Sequence, residues 1–130
     1  MYCRAIRGAI TVEENTAEAI LSATRELLEH LLAANGMAGE EVVSAFFTVT
    51  PDLTAAFPAR AAREMGWERT ALLDALAPPV PGAPEKCVRV LIHWNTNKTQ
   101  EELVHVYLKG AKVLRPDIAC NVEDTEEMEG

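Results

Sequence analysis

Apolar residues recur along the chain with two spacings, and each spacing predicts one kind of secondary structure. Runs rich in β-branched and other apolar residues predict strands at residues 2–12, 42–50 and 87–94. Between the first two runs, apolar positions from Ile20 to Leu32 are three or four residues apart, which predicts a helix. We expect this helix to begin at Asn15, which has Glu18 three positions later, and to end at Gly36.

The second half of the chain is predicted to add two short helices and one more strand. A helix is expected at residues 54–65 and a strand at 69–74, and a proline-rich loop follows at 77–84. The capping-box pattern at residues 99–102 predicts a last helix that continues to about residue 109. The element order βαβαββα predicts an α/β (α+β) fold, with a mixed β-sheet and its helices packed on one face.

Length and charge predict a single domain at residues 1–117 and an acidic segment at residues 118–130. The chain has 130 residues, which leaves no room for a second core. Its net charge is −8, and the last ten residues hold five carboxylates and no Lys or Arg, so we expect that segment to be solvated and mobile. An acidic chain is a poor binder of nucleic acid, because phosphate contacts require clustered Lys and Arg.

Cysteine usage and hydropathy predict a cytoplasmic protein. The three cysteines, Cys3, Cys87 and Cys120, form no CxxC pair, which argues against a zinc site and a disulfide framework. The N-terminus lacks the apolar segment of a secretion signal, and no apolar run reaches the length of about 18 residues that spans a bilayer. We therefore expect no metal and no membrane partner.

Two arginines interrupt the apolar pattern of predicted strands. Arg89 lies within the run CVRVLI, and Arg7 lies within AIRGAI. A guanidinium keeps its charge, so its burial requires an anion, and two such arginines in one small domain suggest an anion-binding site. A structural ion pair, or an arginine whose charged end reaches solvent, would explain each of them as well.

Other candidate residues have equally plain alternatives. Tyr107 is the polar member of the predicted last helix, where a half-buried tyrosine is ordinary. Arg60 and Arg63 share one short helix, where solvated arginines are common, and Arg115 could form a terminal salt bridge. The histidines have no metal-ligand spacing, and no nucleophile elbow or phosphate-binding glycine loop is present. A site made of fixed cations and hydrogen-bond donors is left.

Five blocks of the sequence resemble one family, in the order in which that family carries them. They are IRGAITVE at residues 6–13, TPDLTAAFPA at 50–59, CVRV at 87–90, HVYL at 105–108 and VLRPD at 113–117. Together they resemble the trimeric, monofunctional bacterial chorismate mutases. The resemblance implies a ferredoxin-like, chorismate-mutase-like fold, a homotrimer with a pseudo-barrel core, and active sites between subunits. It also implies the rearrangement of chorismate to prephenate without a cofactor.

The resemblance further implies roles for individual residues. Arg7 would bind a substrate carboxylate, Arg89 would contact the ether oxygen and a carboxylate, and Tyr107 would support a carboxylate. The remaining residues implied to line or flank the pocket are Phe57, Arg60, Arg63, Leu72, Leu73, Leu114 and Arg115, of which Phe57, Leu72 and Leu73 would come from a neighbouring subunit.

One position departs from the family pattern. Family members usually carry a glutamate shortly before the Pro/Gly loop, where it holds the substrate hydroxyl, and here that position is Ala77. Asp74 lies three residues earlier, where the family more often carries a small or thiol residue that, by the resemblance, also faces the hydroxyl. Our hypothesis is that Asp74 supplies the carboxylate. The alternative is that Asp74 is a surface residue and that the pocket is impaired.

Two other functions stay open at this point. A non-catalytic trimer that binds chorismate or prephenate would follow if Ala77 abolishes turnover. A trimeric imine deaminase-like protein would need an arginine aimed at a carboxylate and a site that activates water. The set of Arg7, Arg89 and Tyr107 fits such a deaminase poorly.

Overall fold

A computed structural model describes residues 1–114 of the chain. The strands and helices are β1 (Tyr2–Thr11), α1 (Ala17–Asn35), β2 (Val42–Val49), α2 (Ala59–Glu64), β3 (Ala71–Leu76), β4 (Cys87–Thr96) and β5 (Val106–Leu108). Three short 3₁₀ segments occupy Gly39–Glu41, Gln100–Glu102 and Lys109–Leu114. The expectations for residues 115–130, including Arg115 and the acidic segment, lie outside the described residues.

The five strands form one mixed sheet in the order β3-β2-β4-β1-β5. Strand β4 is antiparallel to β1 and β2, whereas the outer pairs β1–β5 and β2–β3 are parallel. The predicted mixed sheet is therefore confirmed. Successive residues of a strand point to opposite faces, so each strand divides its side chains between two surfaces.

Both helices pack on one of these two faces. Ile6 and Ile10 of β1, Phe47 of β2 and Ile92 of β4 are fully buried there against α1, in one apolar core. The prediction of helices on one face is correct. The opposite surface, which we call the open face, carries the alternate strand residues, and neither α1 nor α2 covers it.

The predicted helix from residue 99 to about residue 109 is wrong. The N–H of Thr99 does donate to the Glu102 carboxylate at 2.8 Å, but this capping contact opens only the 3₁₀ turn Gln100–Glu102. Val106–Leu108 forms β5 instead, with all three side chains buried beside β1. Pairing with the free edge of β1 outweighs the local capping signal. The order of regular elements is thus βαβαβββ.

Asn15 has a different role from the predicted one. The side chain of Thr16 caps α1 by accepting the N–H of Ala19 at 3.1 Å. Asn15 Oδ1 instead accepts the N–H groups of Thr54 and Ala55, at 2.9 and 3.0 Å. The predicted helix at residues 54–65 shortens to Ala59–Glu64, because Pro58 disfavours helical backbone at Phe57 and is itself suited to the start of a helix. Gly36 ends α1 as predicted, in the left-handed conformation with φ 61°.

Candidate active site

The register of β1 and β4 places Arg7 and Arg89 on the open face. Arg89 pairs with Ala9, and Arg7 lies two residues before Ala9 on the same strand. The two arginines are therefore diagonal neighbours, with Cβ atoms about 7 Å apart. Both side chains are exposed, and among residues 1–114 neither guanidinium has a hydrogen bond or an ion pair. Both charges are available to an external anion.

Tyr107 belongs to the same surface. In the parallel register of β1 and β5 it pairs with Ala9, so Arg89, Ala9 and Tyr107 form one row across three strands. Tyr107 is 4% exposed and packs against Ala9, Cys87 and Ala111. Sequence reasoning placed this tyrosine on a helix, which is wrong. The structure nevertheless places it on the same face as the two arginines.

A small cavity lies beside this row. It has a volume of about 130 Å³ and is lined by Ala77, Arg89 and Leu114, with prolines of the 77–84 loop at its rim. It is smaller than the usual ligand pocket of about 300–1,000 Å³. Together, Arg7, Ala77, Arg89, Tyr107 and Leu114 form what we call the arginine half-site.

A second cleft opens elsewhere on the chain, between α2 and the end of β3. It has a volume of about 580 Å³, and Phe57, Arg60 and Asp74 are among its lining residues. Phe57 is 68% exposed, which is unusual for a large apolar side chain. We call Phe57, Arg60 and Asp74 the carboxylate half-site.

Asp74 is held in place by the start of α2. Its Oδ1 accepts the N–H of Ala59, the first residue of that helix, at 3.0 Å. Partial burial raises the pKa of Asp74, although the Ala59 N–H and the charge of Arg63 oppose the rise. The carboxylate is thus fixed and partly desolvated.

Asp74 and Arg89 leave opposite faces of the sheet. Asp74 pairs with Phe47, which pairs with Val90, and both of these partners are buried in the core. Arg89 pairs with Thr48 and points to the open face. Two strand spacings of about 4.8 Å and the thickness of the sheet separate the two groups. Within residues 1–114 of one chain, the two half-sites do not share a cavity.

The remaining predicted residues are distributed over both faces. Leu73 lies on the open face, in a row that runs through Phe46 and Leu91 to Arg7. Leu72 points the other way and packs against the core, so it lines neither cavity. Arg63 is exposed on α2 near Asp74. Arg60 forms an ion pair with Glu64 at 3.1 Å, in which both side chains are about half exposed.

Sequence reasoning missed Thr48 and Ala9. Thr48 pairs with Arg89, and its Oγ1 is buried without a hydrogen-bond partner within residues 1–114. Ala9 separates Arg89 from Tyr107, and its small side chain keeps the row open. The alternation of β2 and β1 would have placed both residues on the surface of the arginines, but only once the pairing register was known.

Residues 1–114 contain no group of three or more His, Cys, Asp or Glu arranged to hold a metal ion. Burial raises the pKa of the Cys87 thiol to about 11, so this thiol stays protonated beside Arg89. None of the helices described here has both the length and the hydropathy that crossing a membrane requires.

Comparisons with known proteins agree with this arrangement. The family described as chorismate mutase type I matches residues 3–118. The chain is 56% identical over 116 residues to chorismate mutase AroH of Thermus thermophilus, covering 88% of this chain and 95% of that protein. It is 42% identical over 120 residues to chorismate mutase AroH of Bacillus subtilis, covering 92% and 94%.

A solved structure is also similar. The chain superposes on a chorismate mutase from Clostridium thermocellum with a TM-score of 0.82 and 52% sequence identity, covering 84% of this chain and 97% of the other. The sheet order and helix placement described above are therefore those of a known enzyme fold. This chain belongs to the type I chorismate mutase family.

Proposed function

We propose that this protein is a chorismate mutase that rearranges chorismate to prephenate in the biosynthesis of phenylalanine and tyrosine. The observation that carries the proposal is the pair of exposed guanidinium groups, Arg7 and Arg89, on one sheet face beside Tyr107. Chorismate has two carboxylates and an ether oxygen that becomes negative in the reaction. Two fixed cations and a phenol match these groups.

The reaction is an intramolecular rearrangement, so it requires no nucleophile, proton transfer or redox cofactor. The protein lowers the barrier by holding the enolpyruvyl group over the ring. Rotational entropy is then lost on binding, and not on reaching the transition state. Arg89 donates to the ether oxygen as the C–O bond breaks. Its charge and fork geometry are already in place, so this contact strengthens in the transition state and acts on kcat.

We infer that the active protein is a homotrimer in which the open face of each copy packs against a neighbouring copy. Phe46 and Leu73 on that face are 42% and 57% exposed in the single chain, and large exposed apolar patches mark protein interfaces. A neighbouring copy would bring its own carboxylate half-site to the arginine half-site. That assembly would join two partial cavities into one pocket that encloses the substrate.

We propose that Asp74 of the neighbouring copy holds the substrate hydroxyl, in place of the glutamate that Ala77 has replaced. One oxygen of Asp74 is bound by the Ala59 N–H, and the other is available to a hydroxyl. Ala77 lies beside Arg89 and has no group that can hold the hydroxyl. Carboxylate and guanidinium would then lie on opposite sides of the substrate, where opposite charges develop.

The free thiols of Cys3 and Cys87 are in keeping with the cytoplasmic location that we also propose.

Loss of chorismate absorbance with purified protein tests the proposal. We expect turnover by the wild type, loss of at least about a hundredfold in Arg89→Ala, and wild-type turnover in Arg25→Ala, whose side chain is exposed on α1. The alternative that Ala77 raised is a protein that binds prephenate without converting chorismate. Prephenate binding with no turnover in the wild type would establish that alternative and reject the enzyme.

A further inference from the structure

Where β5 no longer pairs with β1, side chains form the hydrogen bonds to the outer edge of β1. Strand β5 pairs with Gly8, Ala9 and Ile10 of β1. Before Gly8, the edge of β1 still presents the main-chain groups of Ala5 and Arg7, which β5 does not reach.

Gln100 and His105 supply these partners. Gln100 Oε1 accepts the N–H of Ala5 at 3.2 Å, and Gln100 Nε2 donates to the carbonyl of Ala5 at 2.6 Å. His105 Nδ1 accepts the N–H of Arg7 at 2.9 Å. The two side chains thus continue the hydrogen-bond ladder that β5 begins, and His105 does so at the arginine of the proposed site.

His105 is itself anchored from the helix side. The preceding residue, Val104, donates its N–H to Asn35 Oδ1 at 2.8 Å, and its carbonyl accepts from Asn35 Nδ2 at 2.9 Å. Asn35 is 1% exposed at the end of α1, where Nδ2 also donates to the Leu31 carbonyl. A buried amide bonded on both sides leaves Val104 little freedom, so the backbone that carries His105 is fixed.

The contact requires a particular form of the imidazole. A ring nitrogen accepts a hydrogen bond only when it carries no proton, so Nδ1 is unprotonated in this arrangement. The hydrogen bond restrains the peptide unit from which the Arg7 side chain departs. A shift of that peptide unit would carry the whole Arg7 side chain with it, including the guanidinium.

We propose that His105 is a positioning residue for Arg7 and that it acts through this main-chain hydrogen bond without touching the substrate. The inference rests on the proposed role of Arg7 as the ligand of a substrate carboxylate. A small displacement of a binding group away from the reacting atoms lowers the rate by up to roughly a hundredfold. Loss of the His105 contact therefore affects catalysis beyond its effect on folding.

His105→Leu and His105→Asn separate the contact from the rest of the imidazole. The Asn Oδ1 lies two bonds from Cβ, like Nδ1 of His, so it can accept the Arg7 N–H, whereas Leu cannot. We expect kcat/KM for chorismate to fall by roughly tenfold to a hundredfold in His105→Leu. In His105→Asn we expect a value within about threefold of the wild type, because the hydrogen bond is retained.

Gln100→Leu is the matched control. It removes the same kind of side-chain contact from the same edge of β1, but at Ala5, two residues from Arg7. We expect its thermal unfolding midpoint to fall as much as that of His105→Leu, with kcat/KM unchanged. An equal loss of kcat/KM in Gln100→Leu and His105→Leu would reduce His105 to a stabilising residue and overturn the inference.

Coupling to Arg7 completes the test. If His105 acts through Arg7, adding His105→Leu to Arg7→Ala changes the residual kcat/KM by less than about threefold. A full additional loss overturns the inference, as does failure of His105→Asn to retain activity. If Arg7→Ala alone keeps wild-type kcat/KM, the assignment of Arg7 itself is wrong. A large loss in Arg7→Ala with no loss in His105→Leu rejects the inference about His105 alone.

Discussion

Asp74 and Arg89 lie two strands apart on opposite faces of one sheet, Asp74 on the face of the buried Phe47 and Val90, and Arg89 on the open face. Asp74 lines the larger cleft with Phe57, whereas Arg89 lines the small cavity with Ala77. A substrate the size of chorismate cannot contact both groups of one chain. If both act in catalysis, they come from different copies, and each copy contributes one half to two sites.

We expect Arg89→Lys to lower kcat by about a hundredfold or more, while KM changes by less than about tenfold. The ammonium keeps the charge but lacks the planar fork that donates to the ether oxygen and a carboxylate together. Steady-state kinetics with chorismate measure both constants. Arg25→Lys, on the exposed side of α1, is the control. Equal effects on kcat and KM would contradict a contact that strengthens in the transition state.

Asp74→Asn is expected to lower kcat sharply and yet raise stability at neutral pH. Burial raises the pKa of Asp74 above its ordinary value of 3.8, so the folded state favours the protonated carboxyl. The stability that this group contributes is fully present below pH 3.8 and is lost as the pH rises through its folded pKa. Asn mimics the neutral form and can still accept the Ala59 N–H.

Thermal unfolding midpoints across pH test this expectation. At pH near 7 the midpoint of Asp74→Asn lies above that of the wild type, and the difference closes below pH 3.8. Asp52→Asn is a suitable comparison, because the Asp52 carboxylate accepts the N–H of Lys86 in an exposed loop. A lower midpoint for Asp74→Asn at neutral pH, or unchanged turnover, would contradict the role given to Asp74.

Much of the fold follows from patterns within a few residues. The apolar spacing of α1 and the glycine at its end were sufficient to predict the helix, and the β-branched runs predicted β1, β2 and β4. Strand β5 could not be predicted in this way. Three residues carry little periodicity, and Val106–Leu108 becomes a strand only because the edge of β1 is free beside it.

The candidate site could also be predicted only in part from the sequence. Arg7 and Arg89 stand out because charged residues in apolar strands are uncommon, and the register confirms that they share a face. The placement of Asp74 opposite Arg89 depends on two long-range pairings, through Phe47 and Thr48, that no local pattern contains. His105 was visible in the sequence as the first residue of the HVYL block and as a histidine without metal-ligand spacing, with no sign of its contact. Its link to Arg7 spans 98 residues of sequence.

Mixed trimers test most directly whether the site is shared between copies. Arg89→Ala and Asp74→Ala, each of low activity alone, are unfolded together in equal amounts and refolded. Random assembly places an intact Arg89 against an intact Asp74 at about one quarter of the interfaces, so we expect turnover of about one quarter of the wild-type value. A refolded mixture no more active than the two variants refolded separately would show that Asp74 and Arg89 do not meet across an interface.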